Sequence, residues 1–226
     1  IISNFELKGK QSKRHTLYGN TKYSLVRPLF KNKNIVTRKK IKNLFINFGM
    51  KDSFDFTLKT VFLLNKIKDS FSIKNVKIAS NKSNSYKNNL KKLVLEFCDE
   101  IEIKEYEDEI YDIVKESDII IGSGGVGLCE RLCSGIPSLT IITAKNQELF
   151  LKSKNIEKST LISGSYKIFH EKVFIKNFLE LYKNFKLRQN MSSFGRNIID
   201  GNGVKRVAKI ILGLYENEKL WSDILW

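Results

Sequence analysis

Four glycines stand within six residues in Gly122-Ser123-Gly124-Gly125-Val126-Gly127, just after the apolar run Ile119-Ile120-Ile121 and just before Leu128-Cys129-Glu130. A short continuous hydrophobic run reads as a buried parallel strand. Glycine-rich sequence past its carboxyl end lets backbone N–H groups approach a phosphate at the amino end of the next helix. Gly124, Gly125 and Gly127 bring the main chain that close, with Val126 between them. Glu130 falls about one turn into the helix and faces the same mouth, where a carboxylate suits ribose hydroxyls rather than phosphates. The same glycines also fit a strand-to-helix turn that needs positive φ and binds nothing. Further along, Asn146 and Gln147 suit sugar hydroxyls, or else an N-cap followed by a solvated side chain.

The elements around this turn alternate. Leu44 to Phe48 reads as a strand closed by Gly49, and Phe54 to Lys68 carries helical spacing. Strands are expected at Asn75 to Ala79, Glu100 to Lys104, Ile119 to Ile121, Ser138 to Ile142 and Leu161 to Ile162. Helices are expected at Lys87 to Cys98, Asp108 to Lys115, Leu128 to Cys133, Asn146 to Lys154, Val173 to Lys186 and Gly203 to Tyr215. Gly135 and Pro137 mark the stop after the glycine-turn helix. This predicts an α/β fold: a Rossmann-like parallel sheet with helices on both faces and right-handed crossovers. Residues 1–40 are polar and basic and read as an amino-terminal arm or interdomain segment, with 41–226 as the Rossmann-like domain. In such a sheet, ligands bind outside the carboxyl ends of the strands. Four loops fall there: Asn47-Phe48-Gly49, residues 106–109, residues 122–130, and Ala144-Lys145-Asn146-Gln147.

The chain has 226 residues, 42% of them hydrophobic, and 40 basic against 24 acidic side chains, a net charge of +16. The excess is mostly lysine spread from end to end, with no zinc finger or aromatic ribonucleoprotein box, so no nucleic-acid partner is expected. The charge favours a polyanionic ligand and leaves peripheral association with a membrane surface open. Cys98, Cys129 and Cys133 lack paired metal spacing and form no disulfide framework, so no metal or cofactor is expected and a reducing cytoplasm fits. No run approaches the roughly 20 apolar residues that span a bilayer. His15 and His170 read as solvated, and no pair of carboxylates stands out as an acid/base couple.

The ordered motifs resemble the carboxyl-terminal half of a GT-B fold UDP-sugar enzyme. The likeness is to the UDP-2,4-diacetamido-2,4,6-trideoxy-β-L-altropyranose hydrolase of pseudaminic acid biosynthesis and the spore-coat polysaccharide proteins. The lipid-II-forming glycosyltransferase family is related to both. Tyr23-Ser24-Leu25-Val26-Arg27-Pro28 is similar to a Tyr-Ala-Leu-Leu-Arg-Pro run near the domain crossover, and Phe48-Gly49-Met50-Lys51-Asp52 to a Phe-Gly-Gly-x-Asp turn. Cys129-Glu130-Arg131 with Gly135-Ile136-Pro137-Ser138 resembles Trp-Glu-Arg followed by Gly-x-Pro-Ser. Ala144-Lys145-Asn146-Gln147 matches Ala-x-Asn-Gln. Asp200-Gly201-Asn202-Gly203-Val204-Lys205-Arg206-Val207 matches Asp-Gly-x-Gly-x-x-Arg-Val.

The resemblance implies a UDP-sugar partner, gripped by this half and shared with a missing amino-terminal GT-B domain. UDP-binding positions would be Gly49, Gly124, Gly125, Val126, Gly127, Glu130, Asn146 and Gln147, with uracil against backbone near Tyr106 to Asp108. The reaction implied is cleavage or transfer at the anomeric carbon in surface-glycan synthesis, by hydrolysis of the pseudaminic acid pathway type. The alternatives are a transferase of the lipid-II-forming type and a non-catalytic binding module. In the resembled hydrolase the activating histidine lies in the amino-terminal half, so no catalytic residue is expected here. Two departures bear on the site: Val126-Gly127 stands where relatives carry Ser-Thr, and Met50 replaces a glycine.

Overall fold

A computed structural model describes residues 2–3, 18–19, 21–31, 34–49, 52–80, 87–105 and 110–222. Two short strands, β1 (Ile2–Ser3) and β2 (Tyr18–Gly19), pair in parallel apart from the main sheet. That sheet has six parallel strands: β3 (Asn43–Asn47), β4 (Ile73–Ser80), β5 (Cys98–Glu105), β6 (Ile119–Ser123), β7 (Ser138–Ile142) and β8 (Leu161–Ser165). Their spatial order is β5-β4-β3-β6-β7-β8. The chain therefore builds outward from β3 in one direction, then restarts at β6 and builds outward in the other. This is the doubly wound Rossmann order, with its switch point between β3 and β6.

Helices cover both faces: α1 (Phe56–Lys66), α2 (Lys87–Leu95), α3 (Ile110–Glu116), α4 (Val126–Ser134), α5 (Lys145–Leu151), α6 (Lys154–Glu157), α7 (Glu171–Lys183), α8 (Phe185–Ile198) and α9 (Gly203–Ser222). Side chains alternate across the central strands because successive Cβ atoms point to opposite faces. Leu44, Ile46, Ile119, Ile121, Leu139 and Ile141 pack with Phe56, Leu63, Leu90, Phe174 and Phe178 on one face. Phe45 and Ile120 pack with Ile113, Leu128, Leu132 and Phe150 on the other. Val26, Phe30 and Ile35 join this second cluster, so part of the 1–40 segment is built into the body of the domain.

Sequence and structure differ at a few boundaries. Cys98 opens β5 instead of closing α2. The helix expected from Asn146 to Lys154 is two, α5 and α6, with Ser153 capping the second through Ile156 N. The helix expected from Val173 to Lys186 ends at Lys183, and a further helix not expected from the sequence, α8, starts after Asn184, whose Oδ1 accepts from Leu187 N at 2.9 Å. An Asn with that reach is an N-cap in the midst of continuous helical periodicity.

One buried carboxylate fixes where β6 enters the sheet. Asp118 Oδ2 accepts from the backbone N–H groups of Lys42 and Asn43 at 2.7 and 2.8 Å, and its Oδ1 accepts from Arg38 Nη1 at 2.8 Å. It is 3% exposed. Asp118→Ala strips these partners from two amides and a guanidinium and is expected to cost roughly 3–5 kcal/mol. Denaturant unfolding with an unchanged m-value would check this, and a loss below ~1 kcal/mol would refute the anchoring role.

Candidate functional site at the switch point

The carboxyl ends of β3 and β6 meet at Asn47 and Gly122, which are register partners. A Cβ on Gly122 would stand 2.2 Å from the Asn47 carbonyl oxygen, so only glycine lets the strands approach this closely. None of Gly122, Gly124, Gly125 and Gly127 has positive φ. The positive-φ explanation of this glycine cluster is therefore excluded. At Gly124 an added Cβ would meet Leu151 Cδ1 at 2.2 Å. At Gly125 and Gly127 it would meet only Gln147 Nε2 at 3.7 Å and Arg131 Nη1 at 3.6 Å, ordinary contacts. The protein's own packing does not require glycine at those two positions.

Gly125 is the N-cap of α4 and offers no side chain to its first amides. Val126, at the first helical position, is 64% exposed. On one side of this turn lies a cavity of about 330 Å³ lined by Arg27, Asn47, Val126, Gly127, Glu130 and Arg131 over an apolar floor that includes Phe45 and Ile120. On the other side is a second of about 330 Å³, bounded by Phe48, Gly49, Asp52, Ser123, Ala144 and Gln147. Gly49 has φ +90, and its N–H donates to Asn47 Oδ1 at 2.9 Å in a side-chain turn.

Glu130 lines the first cavity but is 7% exposed and engaged. Arg27 Nε donates to its Oε1 at 2.7 Å and Arg27 Nη2 to its Oε2 at 3.3 Å. A carboxylate has about four lone-pair positions, so both oxygens retain acceptor capacity beside this fork. Arg131, almost fully buried, donates from Nη2 to Ser123 O at 2.8 Å and from Nε to Ser138 Oγ at 3.2 Å, tying α4 to the ends of β6 and β7. With two guanidiniums to one carboxylate, this cavity's charged side chains sum to +1.

Gln147 serves as a bridge. Its Oε1 accepts from Gly124 N at 3.2 Å and Thr143 N at 2.9 Å, and its Nε2 donates to Thr143 Oγ1 at 3.0 Å. It thus locks the glycine turn to the start of α5, while Asn146 beside it is exposed. Asp52 is also used internally, accepting from Phe56 N and Thr57 N at 2.9 and 2.7 Å to cap α1. Tyr106 to Asp108, Met50 and His15 lie outside the described residues. His170 is exposed at the start of α7. Burial pushes the Cys98 and Cys133 thiols up to about 11, which keeps both protonated and inert near neutral pH. Among the described residues no group of three or more His, Cys, Asp and Glu side chains is arranged to hold a metal ion, and no helix is long and apolar enough to cross a membrane.

Sequence reasoning named Glu130 but missed its partner Arg27 and the buried Arg131. The signal for Arg131 was a cation on the otherwise apolar face of a short helix. The signal for Arg27 was the rigid Arg27-Pro28 pair, which sets a 3-10 turn (Pro28–Lys31) whose Phe30 supports the guanidinium, 4.8 Å from the ring centroid.

The doubly wound sheet and its switch-point cavities give the fold of the Rossmann-like carboxyl-terminal domain of a GT-B glycosyltransferase. No family model matches the chain. By sequence it is similar to the spore coat polysaccharide biosynthesis protein SpsG of Bacillus subtilis (strain 168), 22% identical over 204 residues, which cover 89% of this chain and 60% of that protein. Among solved structures it is similar to MurG of Acinetobacter baumannii, with TM-score 0.61, 14% identity, and coverage of 94% of this chain and 59% of that one. It is also similar to MnaA of S. aureus solved with UDP, with TM-score 0.58, 18% identity, and coverage of 82% and 49%. The chain thus spans about half to three-fifths of the length of these proteins.

The late Asp200-Gly201-Asn202-Gly203 motif closes onto the arm. Arg206 donates to Asp200 from both terminal nitrogens, at 2.8 and 2.5 Å, and also to Lys22 O at 3.0 Å. A Cβ on Gly203 would collide with the Ser24 carbonyl oxygen. The Arg206 hydrogen bond holds the Asp200 carboxyl far below the usual carboxylate range. A depressed folded-state pKa gives stability that is complete above the unfolded value near ~3.9 and is lost as pH falls through the folded value. The difference in melting temperature between wild type and Arg206→Gln should therefore stay constant from neutral pH down to about pH 5 and shrink in stronger acid. A difference that instead widened on acidification would contradict this pairing.

Proposed function

We propose that this chain is the nucleotide-gripping half of a GT-B enzyme that cleaves or transfers at the anomeric carbon of a UDP-sugar in surface-glycan synthesis. One observation carries the reading: at Gly125 and Gly127 the glycines keep open a space that the fold itself does not need, beside uncapped amides at the start of α4. In the proposed complex the amides of Gly125, Val126 and Gly127 at the start of α4 donate to the diphosphate, which passes over Gly124, whose own N–H is held by Gln147; the positive end of the helix, Arg27 and the charge of the buried Arg131 aid them. Glu130 accepts from the ribose hydroxyls with the lone pairs Arg27 leaves. Gly49 and Asn146 border the sugar side, and Gln147 holds the two loops in register. The 1–40 segment is read as the connection to the other half, and the cytoplasm as the compartment, in keeping with three free thiols.

Charge developing on the departing UDP is stabilised by these preset donors, each contributing up to ~3 kcal/mol in sites of this kind. The base is placed outside this chain. Both carboxylates bordering the two cavities are already committed, Glu130 to Arg27 and Asp52 to the α1 amides. Hydrolysis of the pseudaminic acid pathway type and sugar transfer differ only in the nucleophile that base activates. The similarity to SpsG and to MnaA solved with UDP supports the ligand class. The Arg27–Glu130 pair supports a second reading, a non-catalytic binding module with a degenerate site in which Glu130 serves Arg27 instead of a ribose.

UDP should slow amide hydrogen exchange across residues 122–130. Glu130→Gln should weaken UDP by about tenfold and 2′-deoxy-UDP by clearly less, since the deoxy sugar has already lost one of the two hydroxyls that Glu130 receives. Calorimetry checks both values. Equal losses for the two nucleotides would remove Glu130 from the ribose, and no heat with UDP would favour the non-catalytic module.

A further inference from the structure

The amino ends of the strands, opposite the switch-point cavities, carry a second feature. Lys39, Lys40, Lys42, Lys74 and Lys183 surround an open groove of about 520 Å³ together with Ile41, Ser72, Asp99 and Tyr182. All five lysines are exposed. None has an ion-pair or hydrogen-bond partner for its ammonium group among the described residues. Lys66 pairs with Glu171, Lys68 with Glu96, Lys77 with Glu102 and Glu116, Lys115 with Asp112, and Lys167 with Glu148. Elsewhere the chain pairs some of its lysines with carboxylates in this way. Here it sets five around a single exposed Asp99.

The walls of the groove are fixed from beneath. Arg188 is 1% exposed and donates to four carbonyls: Leu181 O and Tyr182 O at 2.7 Å each, Lys39 O at 2.7 Å and Arg38 O at 3.3 Å. It welds the 38–39 segment to the last turn of α7. By taking up those carbonyls it also screens the negative end of that helix from the groove. Tyr182 Oη accepts from Ser72 N and donates to Ser72 O, both at 2.9 Å, which joins the α7 wall to the entry of β4. The lysines thus ride on a rigid floor and converge without paying for backbone ordering.

We propose that this groove docks the protein on a membrane surface rich in anionic phospholipid. The chemistry on the page is that of lysine point charges, which tolerate the varied approach of mobile phosphodiesters. There is no free arginine fork in the groove to fix a base, and its one aromatic ring, Tyr182, is half-buried and packed against Phe71 and Phe178, which makes it a poor stacking platform for nucleic acid. Clusters of four to eight such cations suffice for attraction to an anionic leaflet. With the groove against the membrane, the carboxyl ends of β3 and β6 point away from it, about 17 Å along a five-residue strand. A ligand at the switch point would stay accessible.

The test is co-sedimentation of the full chain with vesicles of phosphatidylcholine alone and of phosphatidylcholine mixed with phosphatidylglycerol, at low and physiological salt. Binding is expected only to the mixed vesicles and to weaken with salt. The triple variant Lys40→Gln/Lys42→Gln/Lys74→Gln should lose about a hundredfold in affinity. The matched triple Lys66→Gln/Lys68→Gln/Lys115→Gln removes the same charge and should lose less than about tenfold. Melting temperatures near wild type certify both as folded. Equal losses in the two triples would overturn the proposal in favour of unspecific net charge. Absence of binding to mixed vesicles would also overturn it, as would a short RNA duplex that depends on the groove lysines while vesicles do not.

Discussion

The close approach of β3 and β6 is the constraint from which the rest of this molecule follows. The chain leaves β3 toward β4 and β5, then crosses back to lay β6 on the other side of β3, so the loops after these two strands must diverge. Divergence opens a crevice that neither helix layer can fill. Gly122 lets the two strand ends meet at Asn47 without a side chain between them, and Asp118 pins the other end of the same pair through the Lys42 and Asn43 amides. Between those two fixtures β3 and β6 have one register. Every candidate binding residue is placed relative to it.

Around that crevice the polar side chains divide by task. Arg131, Gln147 and Asp52 are consumed in holding loops, each satisfying backbone groups that would otherwise be orphaned near the core. What remains open to a ligand is mostly backbone: the first amides of α4 and the surface of Gly125 and Gly127. A site built from main chain tolerates changes of side chain, so Val126-Gly127 in place of Ser-Thr removes a hydroxyl without removing the donors.

Much of this architecture was legible in the sequence because fully buried parallel strands are continuous apolar runs. Ile119-Ile120-Ile121 and Ser138 to Ile142 could be placed within two residues of their observed limits. The failures cluster where one helix gives way to another without a change in hydrophobic period. The helix expected from Val173 runs past Asn184 to Lys186 and misses α8 beyond it, because the break at Asn184 rests on a single side-chain bond. The crevice was legible as a location, through its glycines, but not as a set of contacts. Glu130 was visible as a carboxylate on the right helix, whereas its partner lies 103 residues away and only the fold brings Arg27 to it. Gln147 shows the same limit, since Oε1 could have faced solvent as easily as the Gly124 and Thr143 amides.

Long-range closure also explains why motifs at the two ends of the chain belong together. The Lys22 to Pro28 segment receives Arg206 at Lys22 and the bare backbone of Gly203 at Ser24, so the start of α9 is stapled to the arm. Val26 and Phe30 then bury into the cluster behind α4, and Arg27 between them is turned outward onto Glu130. The backbone that carries Arg27 cannot leave the cavity unless the arm itself is pulled, because the two flanking apolar side chains would have to leave the core with it. In the proposed two-half enzyme the arm is the connection to the partner domain, so Arg27 stands on the segment through which one half would act on the other. The ion pair with Glu130 would then couple closure of the halves to the charge of the nucleotide pocket.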